Sequence, residues 1–145
     1  MTERIVAFFS GGGTGGHLYP ALGIAGALAE LRSDVHPFFV GAKRGIEARV
    51  LPERGVDHIL LPIEGFRRDA LLANLGVLRL LAQALMEVAG AFHRLRPRLV
   101  VVTGGYAGGP AGLMAILTRT GLVLQEQNSV PGITTRVLSL FASEI

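Results

Sequence analysis

Short apolar runs alternate with longer stretches of helical period from one end of the chain to the other. The run Arg4 to Phe9, apolar after its first residue, predicts a strand, and Leu22, Ala25, Leu28 and Ala29 recur at helical spacing through Ala21 to Leu31. Val35 to Val40 reads as a second strand, Ile46 to Arg54 as a short helix interrupted by Pro52, and His58 to Ile63 as a third strand. Arg68 to Leu95 is one long helical stretch. Leu99 to Thr103 predicts a fourth strand, Pro110 to Arg119 a helix with proline in its first turn, and Leu122 to Glu126 a fifth strand; a last helix starts near Pro131. Strands that alternate with helices of this length need right-handed crossovers, which put helices on both faces of a parallel sheet. The expected fold is α/β, a doubly wound, Rossmann-like parallel sheet forming a single domain over residues 1–145. The commonest strand order, 3-2-1-4-5, sets the first and fourth strands side by side where the winding reverses, with a crevice beyond their C-terminal ends.

The loops at the ends of those two strands carry the candidate chemistry. Ser10 to Pro20 reads S-G-G-G-T-G-G-H-L-Y-P, with five glycines among the six residues Gly11 to Gly16. After the fourth strand comes a second glycine-rich turn, Gly104-Gly105-Tyr106-Ala107-Gly108-Gly109-Pro110-Ala111-Gly112. Glycine tolerates the positive φ angles that gather consecutive N–H groups into one concavity, and the helix start beyond adds unpaired N–H groups and a partial positive charge. Each loop is thus suited to an anion, phosphate above all, and the two together offer the donors a diphosphate needs.

Other readings of these loops compete. Gly11, Gly13 and Gly16 satisfy the dinucleotide fingerprint G-x-G-x-x-G, but the second strand runs into Val40-Gly41-Ala42-Lys43-Arg44 with no carboxylate to hold a ribose, and Glu47 already falls in the next predicted helix. A mononucleotide P-loop wants Lys and then Ser or Thr after its last glycine, where this chain has His17 and Leu18. A tight turn without a ligand accounts for the first loop at the entropic cost of many glycines. Close packing of helix on strand would account for the second.

His17 opens the first helix beside these donors, as a general base toward a sugar hydroxyl or as a donor to a phosphate oxygen. The fifth strand ends in the polar run Gln125-Glu126-Gln127-Asn128-Ser129, whose amides and carboxylate suit sugar hydroxyls, with Glu126 a second candidate base. Asn128 and Ser129 equally suit a cap for the helix at Pro131.

Composition narrows the partners. The chain has 145 residues, no Cys and a formal net charge of +3. The absence of Cys removes disulfides, Cys-ligated zinc and a thiol nucleophile, which fits a reducing compartment. No block of Lys and Arg with interleaved aromatics points to nucleic acid; a mild attraction to anionic ligands or lipid surfaces is what the charge supports. The N-terminus lacks the pattern of a secretory signal, which reads as an intracellular chain. No metal and no cofactor enter this reading.

Arg68 to Leu95 departs from an ordinary surface helix. Arg79, Gln83 and Glu87 form a narrow polar stripe, while Leu71, Leu72, Leu75, Val77, Leu78, Leu80, Leu81, Leu85, Met86 and Val88 cover most of the rest. Arg79 and Glu87 argue against a span. The surplus apolar face suits a bilayer surface or another chain, with Leu75 and Leu78 as membrane contacts and Arg67 and Arg68 available to anionic headgroups. The competing reading buries the helix between the sheet and a neighbouring helix.

G-G-T-G-G-H over Gly12 to His17 with Pro20 beyond, G-G-Y-A-G-G-P over Gly104 to Pro110, and E-Q-N over Glu126 to Asn128 together resemble the N-terminal domain of the MurG family. V-G-A-K-R-G-I-E-A near Gly41, I-E-G-F-R near Ile63 and P-G-I-T-T-R near Pro131 extend the resemblance along nearly the whole chain. It implies the N-terminal half of a GT-B glycosyltransferase that moves N-acetylglucosamine from UDP-N-acetylglucosamine to the 4-hydroxyl of lipid I, with inversion, to give lipid II for peptidoglycan. By position it assigns the acceptor diphosphate to Gly13, Thr14, Gly15, Gly16 and His17 of the first loop and to Gly104, Gly105, Tyr106, Gly108 and Gly109 of the second. His17 and Glu126 become the catalytic candidates, with Asn128 near the acceptor sugar. Many members carry His where this chain has Gln125, which therefore receives no catalytic role.

The resemblance further implies an anionic membrane surface as partner and a peripheral place on the cytoplasmic face of the bacterial inner membrane. UDP-N-acetylglucosamine would be held mainly by a C-terminal donor domain absent from these residues. That implies either a piece of a longer enzyme or a chain working with a separate donor-binding subunit. The last residues, to Ile145, read as the start of a sixth strand. A stand-alone module that binds a phospholipid or nucleotide phosphate without catalysis is the other functional class.

Overall fold

Phe8 and Phe9 are neighbours on one strand, so their side chains point to opposite faces of the sheet, and each anchors one hydrophobic layer. In the computed structural model, which describes residues 4–65 and 71–145, the Phe8 ring stacks on Phe38 at 5.0 Å and meets Phe92 edge-on at 5.0 Å, while Phe9 lies 5.7 Å from Phe39. All five rings are buried, with Phe8 and Phe9 fully enclosed. The strand is β1 (Ile5–Ser10), and the chain continues through α1 (Gly15–Leu31), β2 (Val35–Ala42), α2 (Glu47–Glu53), β3 (His58–Leu61), α3 (Leu71–Leu95), β4 (Leu99–Val102), α4 (Gly108–Thr118), β5 (Gly121–Leu124) and α5 (Ile133–Leu138). All strand pairs are parallel, in the order β3-β2-β1-β4-β5. This is the doubly wound order expected from the sequence, with β1 and β4 adjacent at the reversal. Helices α1 and α2 cover the Phe9 face; α3, α4 and α5 cover the Phe8 face.

The boundaries differ where glycine and proline hide the pattern. Helix α1 starts at Gly15, well before the apolar period at Ala21, because its first turn consists of residues whose N–H groups have no intrahelical partner in any case. Pro20 sits inside it and removes the N–H that would bond to the Gly16 carbonyl. Strand β5 stops at Leu124, so Gln125 and Glu126 lie beyond the ladder. The final residues reach the open edge of β5 through a parallel bridge between Val123 and Glu144, with Ser143 N donating to Leu122 O at 2.7 Å and Leu124 N to Glu144 O at 3.0 Å.

Candidate functional site

The two glycine loops touch beyond the C-terminal ends of β1 and β4. A Cβ at Gly105 (φ +78°) would lie 2.2 Å from the Gly12 carbonyl oxygen, and one at Gly13 (φ +90°) would lie 2.7 Å from the Tyr106 ring. Both positions require glycine for backbone conformation as well as for space. Ser10, fully buried at the end of β1, ties the loops to the sheet: its Oγ lies 2.9 Å from Val40 O and 3.0 Å from Ala107 O. Gly15, Gly16, Gly108 and Gly109 form the first turns of α1 and α4. The N–H groups of Gly108 and Gly109 turn back to Gly105 O and Tyr106 O at 3.2 Å. Among the described residues the amides of Thr14, Gly15 and Gly16 have no protein acceptor, so the first loop presents its donors at the start of α1.

His17 faces the second loop across the crevice. Its Nδ1 lies 3.0 Å from Thr103 O, and Thr103 Oγ1 donates back to His17 O at 2.6 Å. A carbonyl oxygen only accepts, so Nδ1 carries the proton and Nε2 keeps a lone pair; this tautomer is assigned from the network. Gln127 Nε2 donates to Gly16 O at 2.6 Å, filling the acceptor that Pro20 leaves vacant. The same Nε2 is 2.9 Å from His17 Nδ1, which, already protonated, cannot accept from it. Gln127 thus fastens the start of α1 to the end of β5, a role its sequence position alone does not separate from ligand contact.

Glu126 is held in place by hydrogen bonds. Oε1 accepts from the Asn128 amide at 3.0 Å and from Asn128 Nδ2 at 2.9 Å, and Oε2 accepts from Thr135 Oγ1 of α5 at 2.9 Å. Burial pushes its pKa up, but the Asn128 and Thr135 hydrogen bonds and the nearby His17 outweigh it, and the net direction is down. A carboxylate so placed is ionised and weakly basic. It orients Asn128, while His17 Nε2 carries no hydrogen bond among the described residues. The Tyr106 phenol moves the other way, raised by burial and then by Glu47 and Glu64, so it stays a hydroxyl donor.

Glu47 has a part in the site that its sequence position does not suggest. It does lie in α2, but its carboxylate turns back to the end of β2 and under the first loop, where it is 0% exposed. Oε1 accepts from Ala42 N at 2.9 Å and from Gly13 N at 3.1 Å, and Oε2 from the same Gly13 N at 3.1 Å. The Gly13 donor, which the family resemblance assigns to a diphosphate, is therefore occupied from within. The glycines flanking Lys43-Arg44 in V-G-A-K-R-G-I-E were the available signal, since both approach the Glu47 side chain closely.

Leu75 and Leu78 are 64% and 52% exposed, with Leu72 and Met86 also on the solvent side of α3, while Val77, Ala84, Val88, Ala91 and Phe92 are buried. Arg68 and Arg67 lie outside the described residues. By length and composition alone, Asn74–Leu95 is apolar enough to cross a membrane; one face of it nevertheless belongs to the core. Elsewhere, a groove of about 510 Å³ lined by Leu22, Phe39, Arg54 and Asp57 opens at the N-terminal ends of the strands, away from the loops.

The chain matches the family model described as the glycosyltransferase family 28 N-terminal domain over residues 7–145. It is 45% identical over 141 residues to the UDP-N-acetylglucosamine--N-acetylmuramyl-(pentapeptide) pyrophosphoryl-undecaprenol N-acetylglucosamine transferase of Chlorobium limicola, covering 94% of this chain, and 41% identical over 149 residues to the protein of the same name from Bacteroides thetaiotaomicron, covering all of it. The chain spans 39% of the length of either relative. Its fold is similar to the crystal structure of MurG from Acinetobacter baumannii, with a TM-score of 0.80 at 28% identity over 97% of this chain and 41% of that one. The calicheamicin glycosyltransferase CalG4, at 18% identity and a TM-score of 0.57 over 97% of this chain and 37% of that one, shares the fold.

Proposed function

The chain belongs to glycosyltransferase family 28, whose N-terminal domain it supplies, and from that premise we propose that it binds the acceptor in the inverting transfer of N-acetylglucosamine from UDP-N-acetylglucosamine to lipid I. The observation that carries this reading is the meeting of two glycine loops at the strand-order reversal, with unpaired amides and a histidine of fixed tautomer in one crevice. The acceptor's diphosphate would lie on the amides of Thr14, Gly15 and Gly16, where the start of α1 adds its partial positive charge, and against Gly104, Gly105 and Tyr106 of the second loop. His17 Nε2 would take the proton of the sugar 4-hydroxyl as that oxygen attacks the anomeric carbon from the side opposite the departing UDP. Asn128, oriented by Glu126, would touch the acceptor sugar.

In this reading the UDP-sugar is held mainly by a C-terminal domain, the product is lipid II for peptidoglycan, and the exposed leucines of α3 rest on the anionic cytoplasmic face of the inner membrane where the acceptor's tail remains. The 145 residues alone would not transfer sugar, because reaction needs donor and acceptor held in one near-attack geometry. Calorimetry with a soluble lipid I analogue, UDP-N-acetylglucosamine and NAD tests the assignment. Heat from the lipid I analogue alone is expected. Binding of NAD without the analogue would sink it, and equal heat from any phosphorylated lipid would point instead to a phosphate-binding module without chemistry.

A further inference from the structure

A buried carboxylate is costly unless hydrogen bonds or a countercharge replace its water. Among the described residues the ion pairs are Arg32 with Asp34, His36 with Asp57 and Arg44 with Glu64, and none involves Glu47. Its compensation is the backbone: the N–H groups of Gly13 and Ala42. The space is made by glycine. A Cβ at Gly12, Gly41 or Gly45 would fall 2.0, 2.4 or 2.2 Å from Glu47 side-chain atoms, so three glycines from two segments leave room for one carboxylate. Above it, Gly13 carries the Tyr106 ring of the second loop.

We propose that Glu47 is a positioning residue for the acceptor site: a built-in anion that holds the first glycine loop down on β2 and, through Gly13 and Tyr106, sets its spacing from the second loop. It touches no ligand. With its N–H turned inward to Glu47, Gly13 is withdrawn from the ligand's donors, while the amides at the start of α1 are not. The proposal rests on reading the loops as a diphosphate site, and charge gives it a decisive sign. A negative charge beneath an anion site weakens binding by itself, so removing it would tighten binding if Glu47 merely happened to be near. If Glu47 positions the loop, removing it weakens binding.

The test is ¹⁵N–¹H NMR of the parent, Glu47→Gln and Gly45→Ala, each titrated with inorganic pyrophosphate. Glu47→Gln keeps the shape and removes the charge; Gly45→Ala keeps the charge and crowds the carboxylate out of its pocket. In both variants the Gly13 and Ala42 amide signals and the Tyr106 ring signals are expected to move while the strand signals stay. Pyrophosphate should bind roughly tenfold more weakly, the loss of about one hydrogen bond to a charged group. Unmoved Gly13 signals, or equal or tighter binding by Glu47→Gln, would overturn the proposal. So would failure of Glu47→Gln to fold, which would make Glu47 a folding residue only. If the parent itself ignores pyrophosphate, the diphosphate reading fails, and the Gly13 and Tyr106 signals still decide whether Glu47 sets the loops.

Discussion

At Gly105 a side chain would have to pass through the Gly12 carbonyl, whereas at Gly16 the nearest atom to an added Cβ is Thr14 Oγ1 at 3.7 Å. The two glycines therefore answer to different demands. Gly105→Val should lower thermal stability markedly, by more than the about 1–3 kcal/mol of a strained backbone residue alone. Gly16→Ala should melt like the parent yet weaken diphosphate binding, since its methyl group intrudes only on the open side. Equal melting of both variants would mean that the loops do not interlock. Gly15, with φ outside the left-handed region and only the Tyr19 ring at 3.2 Å, belongs nearer to Gly16 than to Gly105. Glu126 makes a prediction in pH. Its folded pKa is depressed below the ordinary carboxylate value near 4.5, so the unfolded chain binds more protons between the two values. Its stabilisation is complete above that ordinary value and is lost as pH falls through the folded one. The melting-temperature gap between parent and Glu126→Gln should accordingly be present at about pH 6 and shrink toward about pH 3. A gap independent of pH would remove the carboxylate's hydrogen bonds as its cause.

Helix α3 is where period and packing part company. Ten apolar positions were legible in its sequence, but not which of them the sheet would take, because one helix face can reach the core and the residues all look alike in hydropathy. The structure divides them: Val77 and Val88 go inward, Leu75, Leu78 and Met86 outward. That division makes substitution on the outer side informative, since Leu75→Ser and Leu78→Ser change exposed positions and should leave the fold intact. Sedimentation with phosphatidylglycerol vesicles is expected to fall in both variants and to weaken with added salt in the parent. Undiminished sedimentation would move the membrane face elsewhere, and no binding by the parent would leave the stripe to a protein partner. Helix α2 shows the opposite difficulty. Its position was readable from sequence, but the reach of Glu47 back under a loop 34 residues earlier depends on how β1 and β2 pair in register.

For the molecule as a whole, alternating strand and helix patterns sufficed for the sheet and its order, since right-handed crossovers leave few other ways to wind it. The two glycine loops and His17 were legible for the same reason: a switch point is fixed by topology. The links between them were not, because Gln127 with Gly16, Thr103 with His17 and Glu47 with Gly13 join residues far apart in sequence through backbone groups that carry no sequence signature. The central claim is that a lipid-linked diphosphate sits between the loops, and ¹⁵N–¹H NMR titration with a short-chain, soluble lipid I analogue tests it most directly. The expected result is that the amides of Thr14, Gly15, Gly16, Gly105 and Tyr106 and the ring of His17 shift together along one saturating curve. Shifts confined to the groove around Phe39 and Arg54, or none at all, would contradict it.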